Sequence, residues 1–524
     1  MTHFRSYLSV LSLISLIAFL AIHLDHLPAY SQEAESKYRT PALDPAGDKR
    51  KKEKDELLNP EKLDLAAIEA YYKENLLPRL LQANATSMNE ARGELFNDIE
   101  MMERKSRGNL KILEDYNKML ARVLLDIING KDKDGKSAHP SSRVLAAVIA
   151  GRLNRQPASS QSGGLPDPEG TKILLRVFVP TENDGMIASA LTQLPRHWVW
   201  QGMDAATMEL ARKKFVSNLE AFIAAQKPAA RGEEEEAYLR ELMIENLTII
   251  ANGESDSAKA AKPVLLSLIK PALQKYKSES EWLVETAVYS FGQIAKPDLP
   301  ADELVEFETN TVKFLQASLR SWNRRCAQTT AAASGNYPGG MGGPSGGAPG
   351  GLGPPGGPGG ISGGDEPESG GGPNRPGAPS PPKQKNAFDE QPKEVRVARR
   401  ILHQRLEKIH HGLNGYGKAN PKPPTKGLLV SAGEDRQEKL KAVIDAIEAV
   451  QKALNDEKVK DLNSLVNSTR LSITALQTAC EAIVGSDGQV DLPVVGDNTN
   501  SDSEGGADDS GASDRGSDSG FGDK

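Results

Sequence analysis

Eight consecutive residues carry the letters of a phosphate-binding loop. Gly130-Lys131-Asp132-Lys133-Asp134-Gly135-Lys136-Ser137 satisfies the Gly-x-x-x-x-Gly-Lys-Ser pattern. In such a loop the backbone N–H groups cradle phosphates, the lysine (here Lys136) neutralises them and the hydroxyl (Ser137) holds Mg²⁺. The flanks argue against this chemistry. A phosphate loop joins a strand to a helix, whereas Leu110 to Ile128 reads as an amphipathic helix and Pro140 follows almost at once. Asp132 and Asp134 repel phosphate from within. The expectation is therefore a solvated loop between helices, with nucleotide binding or enzymatic activity through residues 130–137 as a minor alternative. The same Asp pair does not make an EF-hand, because Gly130 stands where an acid is needed and no bidentate Glu follows the glycine.

His403, Glu407 and His411 fall at i, i+4 and i+8 and share one helix face, with His410 beside them. Zinc needs neutral imidazoles in a preorganised set of ligands. Arg399, Arg400, Arg405 and Lys408 surround these side chains and disfavour a cation, so this reads as the solvated face of a basic helix. Such a helix can also lie on an anionic membrane, bind nucleic acid or meet the chain's own acidic tail; facing water is the preferred reading. No Gly-x-Ser-x-Gly, His-Glu-x-x-His or Cys-x-x-Cys is present. No catalytic residue, cofactor or metal is expected, and the chain reads as a non-enzyme.

The elements that position these residues are helical. Leu76, Leu80, Leu95, Ile99, Ile112, Leu113, Met119, Leu120, Val123 and Leu124 recur largely at three or four, the spacing of one helix face. No β-rich alternation interrupts the pattern. Ile173 to Val179 is strand-like in composition, but its context favours helix. The expected class is all-α.

Four helical segments end alike: Ala146 to Leu153, Ile187 to Leu194, Met243 to Ile250 and Ala287 to Ile294. Their last residues lie 41, 56 and 44 positions apart. Repeats of roughly 40–47 residues are HEAT or armadillo units. Arg143 to Leu153 resembles the second helix of a HEAT repeat, with small residues in mid-helix and Gly151-x-Leu153 closing it. Val284 to Ile294 is similar, with Gly292 in the slot of Gly151. The other two copies carry Thr192 and Thr248 there. The resemblance covers roughly residues 140–325. It implies a HEAT/armadillo-like α-solenoid with a binding or scaffolding role and supplies no catalytic residue.

The repeat ends set expected turns near residues 155, 197, 253 and 297. The longest interval begins with His197-Trp198-Val199-Trp200, just past a repeat end. Tryptophan is favoured at interfaces, so Trp198, Trp200 and His197 are the candidate partner contacts. Trp282 lies within a helix and reads as core.

The ends of the chain suggest export. Arg5 precedes an apolar run from Tyr7 to Leu24, and Ala29-Tyr30-Ser31 offers small residues at a cleavage site. Residues 1–31 read as a secretory signal peptide. A retained N-terminal anchor is the alternative, because the run approaches the roughly 20 residues of a membrane span. Export permits a disulfide between Cys326 and Cys480. Cys480 sits on an apolar helical stripe, so a buried thiol is the preferred reading.

The 524 residues are only 38% hydrophobic, and the 48 Gly and 33 Pro that dilute them are clustered. The net charge of −7 gives no general drive toward nucleic acid. Residues 32–62 read as a charged tether, 63–325 as the helical repeat domain and 326–387 as a disordered Gly/Pro/Ser-rich linker between independently moving units. Residues 388–484 read as a helical hairpin or three-helix bundle, and 485–524 as an acidic disordered tail. In the bundle, Leu440, Val443, Ile447, Val450 and Leu454 alternate three and four apart. So do Val459, Leu462, Val466, Thr469, Ile473, Leu476, Cys480 and Ile483, a coiled-coil seam able to self-associate. The function expected is an exported scaffold or protein-binding adaptor in the cell envelope, or a membrane-anchored structural protein with the linker as spacer.

Overall fold

The computed structural model describes residues 38–39, 41, 54–58, 63–82, 85–157, 164–200, 202–225, 227–228, 231–276, 279–294, 300–333, 391–415 and 427–485. The signal peptide expected at 1–31, residues 334–387 of the Gly/Pro/Ser-rich stretch and the acidic tail expected after residue 485 lie outside them.

The chain is all-α. Its helices are α1 (Leu65–Tyr71), α2 (Leu77–Leu80), α3 (Ala85–Lys105), α4 (Leu110–Asn129), α5 (Pro140–Arg152), α6 (Pro168–Val177), α7 (Asp184–Trp200), α8 (Ala205–Ala224), α9 (Glu233–Ala251), α10 (Asp256–Gln274), α11 (Glu281–Gln293), α12 (Ala301–Ala333), α13 (Lys393–Asn414), α14 (Gly427–Ser431), α15 (Glu434–Leu454) and α16 (Leu462–Val484). Between α5 and α6, β1 (Asn154–Gln156) and β2 (Leu165–Pro166) pair antiparallel. The helix starts are written in the sequence. Asp64, Asn109, Asp167, Asp204, Ser255 and Asp461 each accept a backbone N–H of the first turn from their side chains. These bonds satisfy donors that a helix leaves without partners. Pro140 and Pro168 take the first helical position, where no N–H is needed.

Two rows of helices share one core. In the first row α5 packs on α7, α7 on α9, α9 on α11 and α11 on α13; in the second α4, α6, α8, α10 and α12 follow one another, and α12 meets α16. Gly151 and Gly292 do the same work in the first row. A Cβ on Gly151 would stand 2.5 Å from the Gln193 side chain on α7, and one on Gly292 would stand 2.4 Å from the Gly412 carbonyl oxygen on α13. In each case the missing side chain lets the next helix of the row come close. Thr192 and Thr248, in the same slot, instead return their hydroxyls to the Ala188 and Ile244 carbonyls of their own helices.

Three expectations need correction. The helices of 391–485 do not form a unit apart. The described residues from 38 to 485 fall in one compact unit, and α13 is the next helix of the first row. Arg405 bonds Glu281 (2.7 Å) and Glu285. Trp322 Nε1 donates to the Ala398 carbonyl (2.9 Å), and Arg436 on α15 pairs with the fully buried Glu308 on α12. The helix before the Gly/Pro-rich stretch also continues past 326 to Ala333.

The charged stretch 32–62 is not all tether. Lys54 and Leu58 are buried, and Arg39 donates its backbone N–H to the Ser137 carbonyl (2.9 Å) and an ion pair to Asp126. Polarity concealed this, because Lys54 is buried against opposite charges rather than apolar groups.

The turn expected near 197 lies further on. Helix α7 runs through Pro195 to Trp200. Proline leaves the carbonyl four residues back, that of Leu191, without its helical donor. The Asn246 side chain on α9 fills the gap, donating to the Leu191 oxygen at 2.8 Å.

The expected hairpin is present: α15 and α16 fold back on each other, and Leu440, Val443, Ile447, Val450 and Leu454 are buried against Leu465, Ile473, Leu476 and Cys480. Cys326 and Cys480 are both buried free thiols. No described helix is long and apolar enough to cross a membrane.

Candidate functional site

Of the three residues expected to touch a partner, two are interior. His197 is fully buried; its Nδ1 lies 2.7 Å from the Thr171 hydroxyl and its Nε2 3.1 Å from the Gly151 carbonyl. A carbonyl only accepts, so Nε2 carries the proton and Nδ1 accepts from Thr171. Burial, with Arg196 adjacent, pushes the imidazole down to about 3, which keeps it neutral. Trp198 is 1% exposed and packs edge-on against Phe215, with its indole N–H on Asn246 Oδ1 at 2.8 Å. Both residues tie rows together and offer no contact surface. The continuation of α7 through Pro195 carries them inward. Trp200, the last residue of α7, remains half-exposed.

The loop 130–137 follows α4, not a strand, and Lys131 and Ser137 close it as a small antiparallel bridge. Asp132 Oδ1 accepts the N–H groups of Asp134 (3.0 Å) and Lys136 (2.8 Å), and Gly135 turns the chain at φ +76°. Two N–H groups that would have to cradle phosphate are thus occupied by a carboxylate of the loop itself.

The histidines of α13 are dispersed. His410 reaches Glu448 at 3.0 Å on α15, His403 lies 3.9 Å from Glu407, and His411 meets the Tyr289 ring edge-on. No group of three or more His, Cys, Asp and Glu among the described residues could hold a metal. The reading of α13 as a solvated basic face is corrected as well. Arg399 and Arg405 are buried, Arg399 on the Asp456 carbonyl and Arg405 on α11.

What sequence reasoning missed is a seam of half-buried side chains across the first row. Tyr238 on α9 reaches Thr192 on α7, and its ring lies edge-on to Trp282 of α11 at 6.4 Å. One turn on, Glu241 accepts from the Thr286 hydroxyl at 2.9 Å. Lys408 of α13 stands 4.0 Å from Glu241 and 3.9 Å from Glu285. Tyr289 and His411 continue the line. Burial pushes the Glu241 carboxyl up to about 7 despite Lys408, with Glu245 adding repulsion. Tyr238, Glu241, Trp282, Tyr289, Lys408 and His411 are neither core nor fully exposed. No local motif marks them, because they come from three separate helices, the last of them more than a hundred residues beyond the second.

A second ionic cluster is enclosed. Lys54 bonds Asp98 (2.6 Å) and Glu94 (3.2 Å). Tyr71 donates to Glu94 (2.8 Å), Tyr72 to Asp98 (3.0 Å), and Arg79 to the other oxygen of Glu94 (2.7 Å). Burial alone would lower the Lys54 pKa, but Asp98 and Glu94 outweigh it and hold the amine charged. A buried ammonium is not a nucleophile, so the cluster is a fastening for residues 54–58. No protein-family model, characterised protein or solved structure matches the chain.

Proposed function

We propose that this protein is an exported, non-enzymatic scaffold or adaptor, a HEAT-like α-solenoid that binds another protein through the first-row face around Tyr238 and Trp282. One observation carries the reading: the aromatic and ionisable side chains left half-buried form a line across α9, α11 and α13, not a closed pocket. Tryptophan and tyrosine are enriched among the side chains that dominate protein–protein contacts, and Tyr238, Trp282 and Tyr289 supply them here. The two-row order of helices supports the solenoid, and the run Tyr7 to Leu24 supports export.

A photo-crosslinking residue at position 282, in the full chain expressed in its cell envelope, tests the reading. One discrete adduct is expected there and none from position 210, where exposed Leu210 lies on α8 of the second row. No adduct at 282, or equal adducts at both, sinks it. A membrane-anchored structural protein is the second reading, favoured by the length of the Tyr7–Leu24 run. The mass of the mature N-terminus separates the two: a start after Ser31 supports export with cleavage, a start at Met1 the anchor.

A further inference from the structure

A cleft of about 420 Å³ opens between Arg39 and Pro41, the helical turns around Lys73 to Leu81, and the loop at Lys131 to Lys133. Its volume falls within the roughly 300–1,000 Å³ of small-molecule sites. Pro41, Leu77, Pro78 and Leu81 give it an apolar floor; Arg39, Lys73, Lys131 and Lys133 give it four cations, and Asp132 is the one acid in its lining.

Two acids beside the cleft pair with basic residues, and Asp132 remains the one carboxylate facing Lys131 and Lys133. Asp126 pairs with Arg39 (3.0 Å), and Glu69 pairs with both Lys73 (2.8 Å) and Arg122 (2.6 Å). Asp132 spends one oxygen on two N–H groups of its own loop. Lys131 and Lys133 have no ion-pair or hydrogen-bond partner for their amines among the described residues. The walls are held in place. Arg39 is bonded to Ser137 and Asp126, the Tyr38 ring meets His139 edge-on at 4.8 Å, and Gln82 donates to the Pro41 carbonyl at 2.9 Å.

We propose that this cleft binds a small organic anion, a phosphate or carboxylate on an apolar body, with Lys131 and Lys133 on the charge and Leu77, Pro78 and Leu81 under the body. The loop's backbone does not cradle the anion; its lysine side chains do. This site is separate from the first-row seam and does not depend on the protein-binding reading.

Calorimetric titration of the full chain with phenyl phosphate and with inorganic phosphate tests the proposal. Phenyl phosphate should bind saturably and more tightly than inorganic phosphate, and more weakly as salt rises. The double variant Lys131→Ala/Lys133→Ala should lose roughly tenfold or more in affinity, about 1.4 kcal/mol. Lys118→Ala, an exposed lysine paired to Glu114 on α4, should bind like the parent. Equal affinity for the two probes removes the role of the apolar floor and overturns the proposed ligand class. No saturable binding, or unchanged affinity in the double variant with its helical circular dichroism intact, overturns the site.

Discussion

Asn246 accepts the Trp198 indole N–H on its side-chain oxygen at 2.8 Å, and its amide donates to the Leu191 carbonyl at 2.8 Å. The second bond repairs what Pro195 breaks in α7. The first gives the buried indole its partner. One asparagine on α9 thus makes the bend in α7 tolerable and fixes the spacing of the two helices. Asn246→Ala leaves a buried donor and a buried acceptor unmatched, at about 1–3 kcal/mol each. Urea unfolding should show a loss of about 2–5 kcal/mol, against about 1 kcal/mol for Thr248→Ala, whose hydroxyl bonds only its own helix. Equal losses would show that the Pro195 repair contributes nothing.

Arg405 holds α13 to α11 through Glu281 and Glu285. Removing one member of a buried pair strands the other, at about 3–5 kcal/mol. Arg405→Ala should destabilise by that amount, while Arg405→Met with Glu285→Leu should recover most of it. A chain cleaved at a protease site introduced at Gly360 should still elute as one species in native gel filtration. Two separate peaks would restore the independent units expected from composition.

Gly292→Ala and Gly93→Ala make a paired test. A methyl at 292 meets the Gly412 backbone at 2.4 Å, whereas nothing lies within 4 Å of one at 93. The first should cost about 1–3 kcal/mol by overpacking. The second should stabilise α3 by about 0.4–1 kcal/mol, since alanine has fewer unfolded conformations to lose. Denaturant midpoints read both directly.

Glu241 and Asp98 should each contribute stability that is lost as pH rises from about 4 to 7, while His197, held near 3, contributes in the opposite sense below about 6.5. Glu241 titrates near 7 and Asp98 near 6, both raised by burial above their ordinary values. At these two carboxyls the folded chain keeps protons that the unfolded chain has released, so their contribution to the slope of stability with pH is negative. Glu241→Gln should remove its share and shift that slope toward positive near pH 6 to 7. Urea midpoints measured from pH 4.5 to 8 check this; parallel curves for parent and variant would show that Glu241 does not titrate there.

The two cysteines should be silent in the native state. Burial pushes Cys326 up to about 11 and Cys480 up to about 12, so neither forms the reactive thiolate near neutrality. A thiol reagent should label both after unfolding and neither before it.

The helical class and the terminal hairpin were legible because they rest on short-range patterns. The buried alternation from Leu440 to Leu454 needs only nearby residues. Gly292 was legible as a repeat slot but not as a contact, since its partner Gly412 lies beyond the Gly/Pro-rich stretch. His197 and Trp198 misled because the repeat ending at Leu194 set a turn just before them, whereas α7 continues and the donor that lets it continue sits on another helix. Lys54 misled because hydropathy counts its charge and cannot see Glu94 and Asp98 opposite. The Tyr238–Trp282 seam has no local signature at all.

The close approach of Gly292 to Gly412 also sets a timetable. The ribosome finishes α11 long before it reaches α13, with about a hundred residues between. At about 5–20 residues per second that interval is about 5–20 seconds. Throughout it the growing chain carries an open end, with Val288 and Gly292 bare where α13 will later close on them. The nascent chain passes through that state with its last first-row edge still adhesive. The number of residues between the two helices governs how long the nascent protein is vulnerable, so shortening residues 334–390 should raise the yield of soluble chain.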